Sequence, residues 1–214
     1  IALVNEMKMV LDAMDIDIWE VIDAASTKPF GFTRFTPGPG MGGHCIPIDP
    51  FYLTWIARKA GLSTKFIELA GEINRSMPRY VVERTQFALN SVGRAVRGSR
   101  VLVLGLSYKP EVGIVSESPS IPLLQQFAEL GAEIAYSDPF VPVAPDVEGM
   151  PEAVRGLRSI DLDAATVASF DVVVLSTSHR AFDTEMIAAA APLMVDTRNR
   201  FASLLEGSER YFKA

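Results

Sequence analysis

The sequence Arg100-Val-Leu-Val-Leu-Gly105 is a short apolar run that ends in glycine. Such a run is typical of a strand that is buried on both faces of a parallel sheet. Three further runs of this kind follow, at residues 133–137, 171–176 and 193–196, with a candidate edge strand at 210–213. Helical segments lie between them, so the sequence predicts an α/β fold with a doubly wound, mainly parallel sheet, Rossmann-like in type.

The first 95 residues have a helical pattern instead. Apolar residues recur at helical spacing from Leu3 to Met14, and Asp17 is placed as the N-cap of a second helix. We expect later helices at about 50–60 and 63–75, with Pro78 kinking the chain or restarting it as a helix at 79–92. The chain therefore divides into a helical part, 1–95, and an α/β part, 96–214.

The bulk composition excludes several classes of protein. The chain has 214 residues and a net charge of −6, without a basic run, which argues against nucleic acid or an anionic membrane as its main partner. One cysteine excludes an intrachain disulfide framework and, with two histidines, the usual zinc sites. No apolar run reaches the roughly 18 residues of a membrane span, and no signal peptide is visible, so the cytoplasm is the expected location. The chain begins at Ile1 inside a helical pattern, which indicates that N-terminal sequence is missing.

The only cysteine, Cys45, lies in the run Thr36-Pro-Gly-Pro-Gly-Met-Gly-Gly-His-Cys-Ile-Pro-Ile-Asp-Pro50. A run so rich in glycine and proline predicts a shaped loop, which we expect to end at Asp49, the N-cap of a helix whose first residue is Pro50. A thiol just ahead of a helix, on backbone that can approach a ligand closely, is placed for covalent chemistry. The alternatives are that Cys45 is a small buried hydrophobic residue and that Asp49 serves only as a cap.

Three other residues are candidates for a site. His44 would point away from Cys45 in an extended loop, so we favour a hydrogen bond within the loop over a role as a base. Lys109 and Arg198 follow the first and fourth strands, where positive charge could hold a phosphate; alternatively they are solvated surface cations. The turn Gly105-Leu-Ser-Tyr-Lys-Pro110 has one glycine where the dinucleotide fingerprint has three, so it does not predict a typical dinucleotide site.

The segment Pro37-Gly-Pro-Gly-Met-Gly-Gly-His-Cys-Ile-Pro-Ile-Asp-Pro-Phe-Tyr-Leu-Thr-Trp55 resembles the active-site segment of the UDP-sugar 6-dehydrogenases. These enzymes of the UDP-glucose/GDP-mannose dehydrogenase family oxidise the C6 alcohol of a nucleotide-linked sugar to a carboxylate. The stretches 22–32, 68–78 and 101–109 are similar to the bacterial branch. The resemblance covers essentially the whole chain.

The resemblance implies that this chain is part of a larger enzyme whose domains have separate roles. The family has an N-terminal domain that binds NAD, a central helical domain that forms a homodimer and a C-terminal domain that binds UDP. This chain resembles the last two, so NAD would be bound by the missing N-terminal domain. The family's catalytic lysine and asparagine pair is also absent, since Asn5 does not match that asparagine. The chain alone would therefore bind a UDP-sugar and dimerise without catalysing the oxidation.

The resemblance also implies roles for single residues. Cys45 would form a thioester during a double oxidation with two NAD molecules as hydride acceptors, and Asp49 would assist in water activation or proton transfer. The residues that match substrate-contacting positions are Lys109 and Arg198, for UDP, with Phe35 and Gly42 in the loop over the nucleotide and sugar. No metal site is implied.

Two features leave alternatives open. The family's usual Arg-Glu-Ser-Pro is Ser116-Glu-Ser-Pro119 here, and Pro110 and Gly113 replace residues that are usually charged, which bears on the loop near UDP. The Pro-Gly-Pro-Gly and His-Cys-Ile-Pro pattern favours a UDP-N-acetylhexosamine over UDP-glucose as substrate. The competing class is a nucleotide-binding and dimerisation module without catalysis, in which Cys45 would be unreactive.

Overall fold

The computed structural model describes all 214 residues as helices at the N-terminal end followed by an alternating α/β arrangement. The elements are α1 (Ala2–Ala13), α2 (Ile18–Ser26), α3 (Cys45–Lys59), α4 (Lys65–Ser91), β1 (Arg100–Leu104), α5 (Ser120–Glu129), β2 (Glu133–Ser137), α6 (Ala164–Ala168), β3 (Val172–Leu175), α7 (Thr184–Ala190), β4 (Met194–Asp196), α8 (Ala202–Leu205) and β5 (Tyr211–Lys213). None of these helices combines the length and the apolar character that crossing a membrane requires.

The five strands form one parallel sheet in the order β2-β1-β3-β4-β5, which confirms the predicted fold class and puts β5 at an edge. Val103 of β1 pairs with Tyr136 of β2 on one side and with Val174 of β3 on the other. The chain passes from β2 across β1 to β3, so the switch point of this topology lies between β1 and β3. In sheets of this type ligands bind there, outside the carboxyl ends of the strands.

Helices cover both faces of the sheet because successive strand residues point to opposite sides. Val101 and Val103 pack with α4 and α5 in a cluster of 20 buried residues. Leu102 and Leu104 pack on the other face with α6, α7 and α8 in a cluster of 13 buried residues. Burial on both faces is the physical reason that these strands read as unbroken apolar runs.

Helix α4 is continuous over 27 residues and passes through Pro78, so the predicted restart at residue 79 is wrong. Pro78 is buried, and the C-terminal half of the helix, with Val81 and Leu89, packs in the sheet core. Before Pro78 the helix contacts α3, where Arg58 pairs with Glu68, and α1 contacts it after Pro78, where the Tyr80 hydroxyl donates to Asp12. Packing on both sides of Pro78 outweighs the hydrogen bond that proline removes. The boundary near residue 95 stays a prediction, since α4 takes part in both regions.

Candidate functional site

Cys45 is the first residue of α3, which begins earlier than the sequence predicted. Asp49 is therefore not a cap: it lies inside the helix, as does Pro50, and His44 is the N-cap. The first helical bond runs from the Ile48 N–H to the His44 carbonyl, over 3.1 Å. Pro47 is the third helical residue, where no N–H partner is needed, so it does not interrupt the helix. Pro50 is the sixth, and the helix continues through it without the N–H that would bond to the Ile46 carbonyl.

Three side chains converge at the start of α3: those of His44, Cys45 and Asp49. Cys45 and Asp49 are spaced i, i+4, so they share one helical face. His44 has helical backbone angles, and its Nδ1 lies 3.5 Å from Asp49 Oδ1. The nitrogen, sulfur and oxygen atoms of the three side chains all lie within 4.8 Å of one another, and all three residues are exposed. Our expectation that His44 points away from Cys45 is wrong, because the chain is helical there and not extended.

The glycines ahead of Cys45 allow the loop to approach the turn after β1. The Gly43 N–H donates to the Ser116 carbonyl over 3.0 Å, and Gly43 has a φ of 86°. A Cβ at Gly42 would lie only 2.6 Å from the Tyr108 Cβ. The predicted substrate residue Gly42 thus packs on Tyr108, the neighbour of Lys109. Because Ser116 uses its backbone oxygen, its difference from the family's arginine leaves this contact intact.

Arg198 lies at the carboxyl end of β4, in a turn organised by the buried Asp196. The Arg198 N–H donates to Asp196 Oδ1 over 2.8 Å, and its Nε donates to the Ser176 carbonyl over 2.8 Å. Burial lowers the pKa of Arg198 to about 10, an effect that the charge of Asp196 opposes, so the guanidinium stays charged at neutral pH. Burial also raises the pKa of Asp196, against the hydrogen bonds from its neighbouring N–H groups.

A cavity of about 320 Å³ joins Arg198 to Phe35, two of the predicted substrate residues from distant parts of the chain. Arg34 also lines this cavity, which therefore has two cationic side chains. Buried Asn5 shapes its wall: Asn5 Oδ1 accepts the Gly38 N–H over 3.1 Å, and Nδ2 donates to Asn74 over 2.9 Å. The sequence predicted roles for neither Arg34 nor Asn5 here, since both depend on contacts between distant segments.

Lys109 is exposed and lies outside that cavity. Its Nζ sits 5.3 Å from the centre of the Tyr108 ring, on the outer side of the turn after β1. A second cavity, of about 1140 Å³, lies between α3, α4 and the turn after β1, and shares Gly40 and Met41 with the smaller one. Ile46, next to Cys45, lines it. The structure thus places a thiol, a cationic cavity and a larger apolar cavity along one glycine-rich loop.

The switch point between β1 and β3 does not fit a dinucleotide. A Cβ at Gly105 would lie 2.5 Å from the Thr177 Cβ, so the protein itself fills the space above this glycine. Ser120, at the start of α5, donates its hydroxyl to the Gly105 carbonyl over 2.7 Å. The turn also lacks the further glycines that let backbone approach a pyrophosphate. We therefore assign no step of the chemistry to NAD held by these residues.

Gly38 makes room for the Arg198 guanidinium, because a Cβ at Gly38 would overlap its Nη1. Gly38→Ala is expected to displace Arg198 and to weaken UDP binding about tenfold, the loss of one charge-assisted hydrogen bond. Calorimetric titration with UDP measures this. In the Arg198→Ala background the same substitution is expected to have no further effect; an additive loss would show that Gly38 acts independently of Arg198.

Two family models match this chain. Residues 1–76 match the UDP-glucose/GDP-mannose dehydrogenase family, central domain. Residues 102–203 match the UDP binding domain of the same family.

Curated relatives and solved structures agree with this match. The chain is 30% identical over 208 residues to an NDP-N-acetyl-D-galactosaminuronic acid dehydrogenase of Ralstonia nicotianae, covering 95% of this chain and 45% of that protein. It is 31% identical over 186 residues to a UDP-N-acetyl-D-mannosamine dehydrogenase of Yersinia pestis, covering 85% of this chain and 42% of that protein. The structure of the UDP-D-ManNAc dehydrogenase of Pyrococcus horikoshii superimposes with a TM-score of 0.81 at 26% identity, covering 100% of this chain and 47% of the other.

The chain thus spans less than half the length of the relatives it matches. The first matched region contains α1, α2, α3 and the first part of α4, and the second contains most of the sheet and Arg198. The chain therefore belongs to the UDP-glucose/GDP-mannose dehydrogenase family, in which it corresponds to the central and UDP-binding domains.

Proposed function

We propose that this chain forms the thiol-bearing and UDP-binding part of an NAD-dependent UDP-sugar 6-dehydrogenase. The observation that carries the proposal is the exposed Cys45 thiol at the start of α3, with His44 and Asp49 beside it. The loop that precedes it also lines the cavity that contains Arg198. A nucleophile and a cationic pocket on one loop suit a substrate with a reactive sugar carbon and a diphosphate.

Two steps of the reaction fall to Cys45. After the first oxidation the sulfur bonds to C6 of the aldehyde, and the carbonyl oxygen takes a proton, which gives a thiohemiacetal. After the second oxidation the group is a thioester. Water attacks its carbon, the C–S bond breaks, and the carboxylate leaves with the thiol restored. Two NAD molecules in succession would each accept one hydride, and we propose that residues outside these 214, in the family's N-terminal domain, would hold them.

Asp49 is the proposed base for the hydrolysis. Its carboxylate shares a helical face with Cys45 and is exposed, so an attacking water can lie between the carboxylate and the sulfur. His44 Nδ1, 3.5 Å from Asp49 Oδ1, is placed to orient that carboxylate. Covalent capture by Cys45 keeps a reactive aldehyde on the enzyme between the two oxidations.

The substrate is proposed to be a UDP-N-acetylhexosamine. Arg198 and Arg34 supply positive charge for the diphosphate, Phe35 supplies an aromatic face, and Lys109 and Gly42 lie along the neighbouring turn and loop. Both curated relatives described above are named for N-acetylated sugars, and the Pro37-Gly-Pro-Gly pattern favours the same class.

The proposed assembly is a homodimer through the central helices. Helix α1 leaves large apolar side chains exposed, among them Leu3 at 69% and Val10 at 49%. A second copy of the chain would cover such a face.

The proposed location is the cytoplasm, because a free nucleophilic thiol needs a reducing compartment.

Calorimetric titration tests the UDP site of this chain. We expect UDP to bind and the affinity to fall at least about tenfold in Arg198→Ala, since a half-buried cation is lost. Arg200→Ala, which removes an exposed arginine of the same turn, is the matched control and is expected to bind as the wild type does. The chain alone is expected to reduce no NAD. A folded chain that binds no UDP would contradict the proposal.

A nucleotide-binding module without catalysis is the second candidate. It predicts that Cys45 reacts with iodoacetamide no faster than an ordinary exposed thiol and that a UDP-sugar gives no protection. The convergence of His44 and Asp49 on the thiol favours catalysis, because a purely binding module has no use for this arrangement.

A further inference from the structure

We propose that His44, Cys45 and Asp49 form a zinc site that reversibly blocks the thiol. The inference that zinc inhibits the enzyme rests on the proposed function; the binding of the metal does not. Imidazole nitrogen, thiolate sulfur and carboxylate oxygen are the three donor types that zinc takes from proteins. Here one of each lies within 4.8 Å of the other two.

The spacing of the donors fits zinc coordination. Zinc binds nitrogen and carboxylate oxygen at about 2.0–2.2 Å and sulfur at about 2.3 Å, so two ligands of a tetrahedral ion lie roughly 3.4–3.6 Å apart. His44 Nδ1 and Asp49 Oδ1 are already separated by 3.5 Å. The Cys45 side chain is exposed, so rotation about its χ1 can bring the sulfur to the same ion. Three protein ligands leave the fourth position to water.

The donor set selects the metal. Magnesium and calcium prefer all-oxygen sites, whereas a thiolate and an imidazole suit zinc. The positive end of the α3 dipole disfavours a cation at this place, but the thiolate and the carboxylate bring two negative charges against it. On binding, a zinc–sulfur bond forms and the thiol proton passes to the buffer. The sulfur electron pair that would attack the substrate aldehyde is then engaged by the metal.

The site escaped prediction from the sequence for a physical reason. One cysteine and two histidines exclude the usual zinc sites, and the second histidine, His179, is indeed buried in the α/β part. The carboxylate of Asp49 supplies the missing donor. It does so only because α3 begins at Cys45, which brings residues 45 and 49 onto one face.

Cobalt, a spectroscopic substitute for zinc, tests the binding directly. The 214-residue chain is expected to bind one Co²⁺ with a thiolate-to-cobalt charge-transfer band, which Cys45→Ser abolishes. His44→Ala and Asp49→Ala are expected to weaken binding at least about tenfold. Asp146→Ala, which removes an exposed carboxylate elsewhere, is the matched control and is expected to bind as the wild type does. An unchanged spectrum and affinity in both His44→Ala and Asp49→Ala would overturn the proposed site.

Alkylation of Cys45 by iodoacetamide gives a second readout. Zinc is expected to slow it at least about tenfold, EDTA to restore it, and magnesium at the same concentration to leave it unchanged. An equal rate with and without zinc would overturn the proposal. If zinc binds and protects the thiol but Cys45→Ser leaves the oxidation of UDP-sugars intact, the proposed function fails and the metal site stands. If Cys45 is essential but no metal binds, only the site fails.

Discussion

In the larger enzyme proposed above, Cys45→Ser is expected to lower the rate of carboxylate formation at least about 10³-fold. A serine hydroxyl is much less acidic than a thiol and therefore a poorer nucleophile towards the aldehyde, and oxidation of its hemiacetal would give an ester, which water cleaves more slowly than a thioester. The measurement is NADH formation with UDP-GlcNAc, UDP-ManNAc and UDP-glucose in turn. UDP affinity is expected to stay within about a factor of two, since Cys45 lines neither of the two cavities described above.

Asp49→Asn provides the companion experiment. If Asp49 activates the water that cleaves the thioester, its loss slows hydrolysis about 10²-fold or more and lets a covalent adduct accumulate on Cys45. Mass spectrometry of the quenched enzyme would detect this adduct. A Cys45→Ser enzyme that still forms carboxylate at the wild-type rate would contradict the covalent mechanism, whatever the behaviour of Asp49→Asn.

The sheet could be predicted from the sequence because burial on both faces constrains every strand residue. The central run 171–176 was predicted as a strand, and the structure has β3 there at Val172–Leu175, with all four residues buried. The edge run 133–137 is less buried but also has the predicted bounds. Two helix starts could also be predicted from a capping aspartate. Asp17, the N-cap of α2, accepts the Trp19 N–H over 3.0 Å, and Asp183, the N-cap of α7, accepts the Met186 N–H over 3.0 Å. These signals are local, so no knowledge of distant contacts is needed to interpret them.

The start of α3 and the course of α4 could not be predicted in the same way. Glycine and proline ahead of Asp49 favour a loop, yet the helix begins at Cys45, where its first residues need no N–H partners. Pro78 predicts a break, yet packing against the sheet and against α1 keeps α4 continuous. At Pro78 tertiary contacts outweigh the local preference of proline, whereas at the start of α3 the helix tolerates proline because its first N–H groups need no partner.

The candidate site shows the same limit. The resemblance assigned Phe35 and Arg198 to substrate binding, and the structure places both beside one cavity, although it leaves Lys109 outside it. Buried Asn5 holds the wall of this cavity in place. Its side-chain oxygen accepts a hydrogen bond from the Gly38 N–H, and its side-chain nitrogen donates one to Asn74. A buried asparagine that connects two helices and a loop leaves no recognisable pattern in a single sequence.

Asp138→Ala is expected to lower the free energy of unfolding by about 3–5 kcal/mol, because it leaves several buried donors without a partner. Asp138 is only 2% exposed. Its Oδ2 accepts the N–H groups of Leu106 and Ser107 over 2.7 and 2.8 Å, and its Oδ1 accepts that of Phe140 over 2.8 Å. His179 Nδ1 accepts a hydrogen bond from the Glu111 N–H. The imidazole proton is therefore on Nε2, which donates to Asp138 over 3.1 Å. Urea unfolding at pH 7 measures the loss.

The stability that Asp138 contributes is expected to depend on pH, unlike that of a buried residue that does not ionise. Burial raises the pKa of Asp138, but the hydrogen bonds from His179, Ser107 and Phe140 outweigh it and bring the pKa to about 2. A carboxyl group whose pKa is lower in the folded than in the unfolded state stabilises the fold above the unfolded pKa near 4. That contribution, roughly 2 kcal/mol, is lost as the pH falls towards 2. The difference in unfolding free energy between wild type and Asp138→Ala is therefore expected to shrink over that range, and a constant difference would contradict the assignment.

The same carboxylate holds the turn that bears Lys109, one of the residues proposed to bind UDP. Asp138 follows β2, accepts hydrogen bonds from the turn after β1 and contacts His179 beyond β3, so three strand ends meet at one side chain. Lys109 lies on that turn, two residues after Ser107. Asp138→Asn keeps the shape of the group but lacks its charge, and is expected to fold with a smaller loss of stability. If the turn is held in place for UDP by this carboxylate, Asp138→Asn will bind UDP more weakly in calorimetry while Arg200→Ala does not, since only the former loosens the turn that bears Lys109.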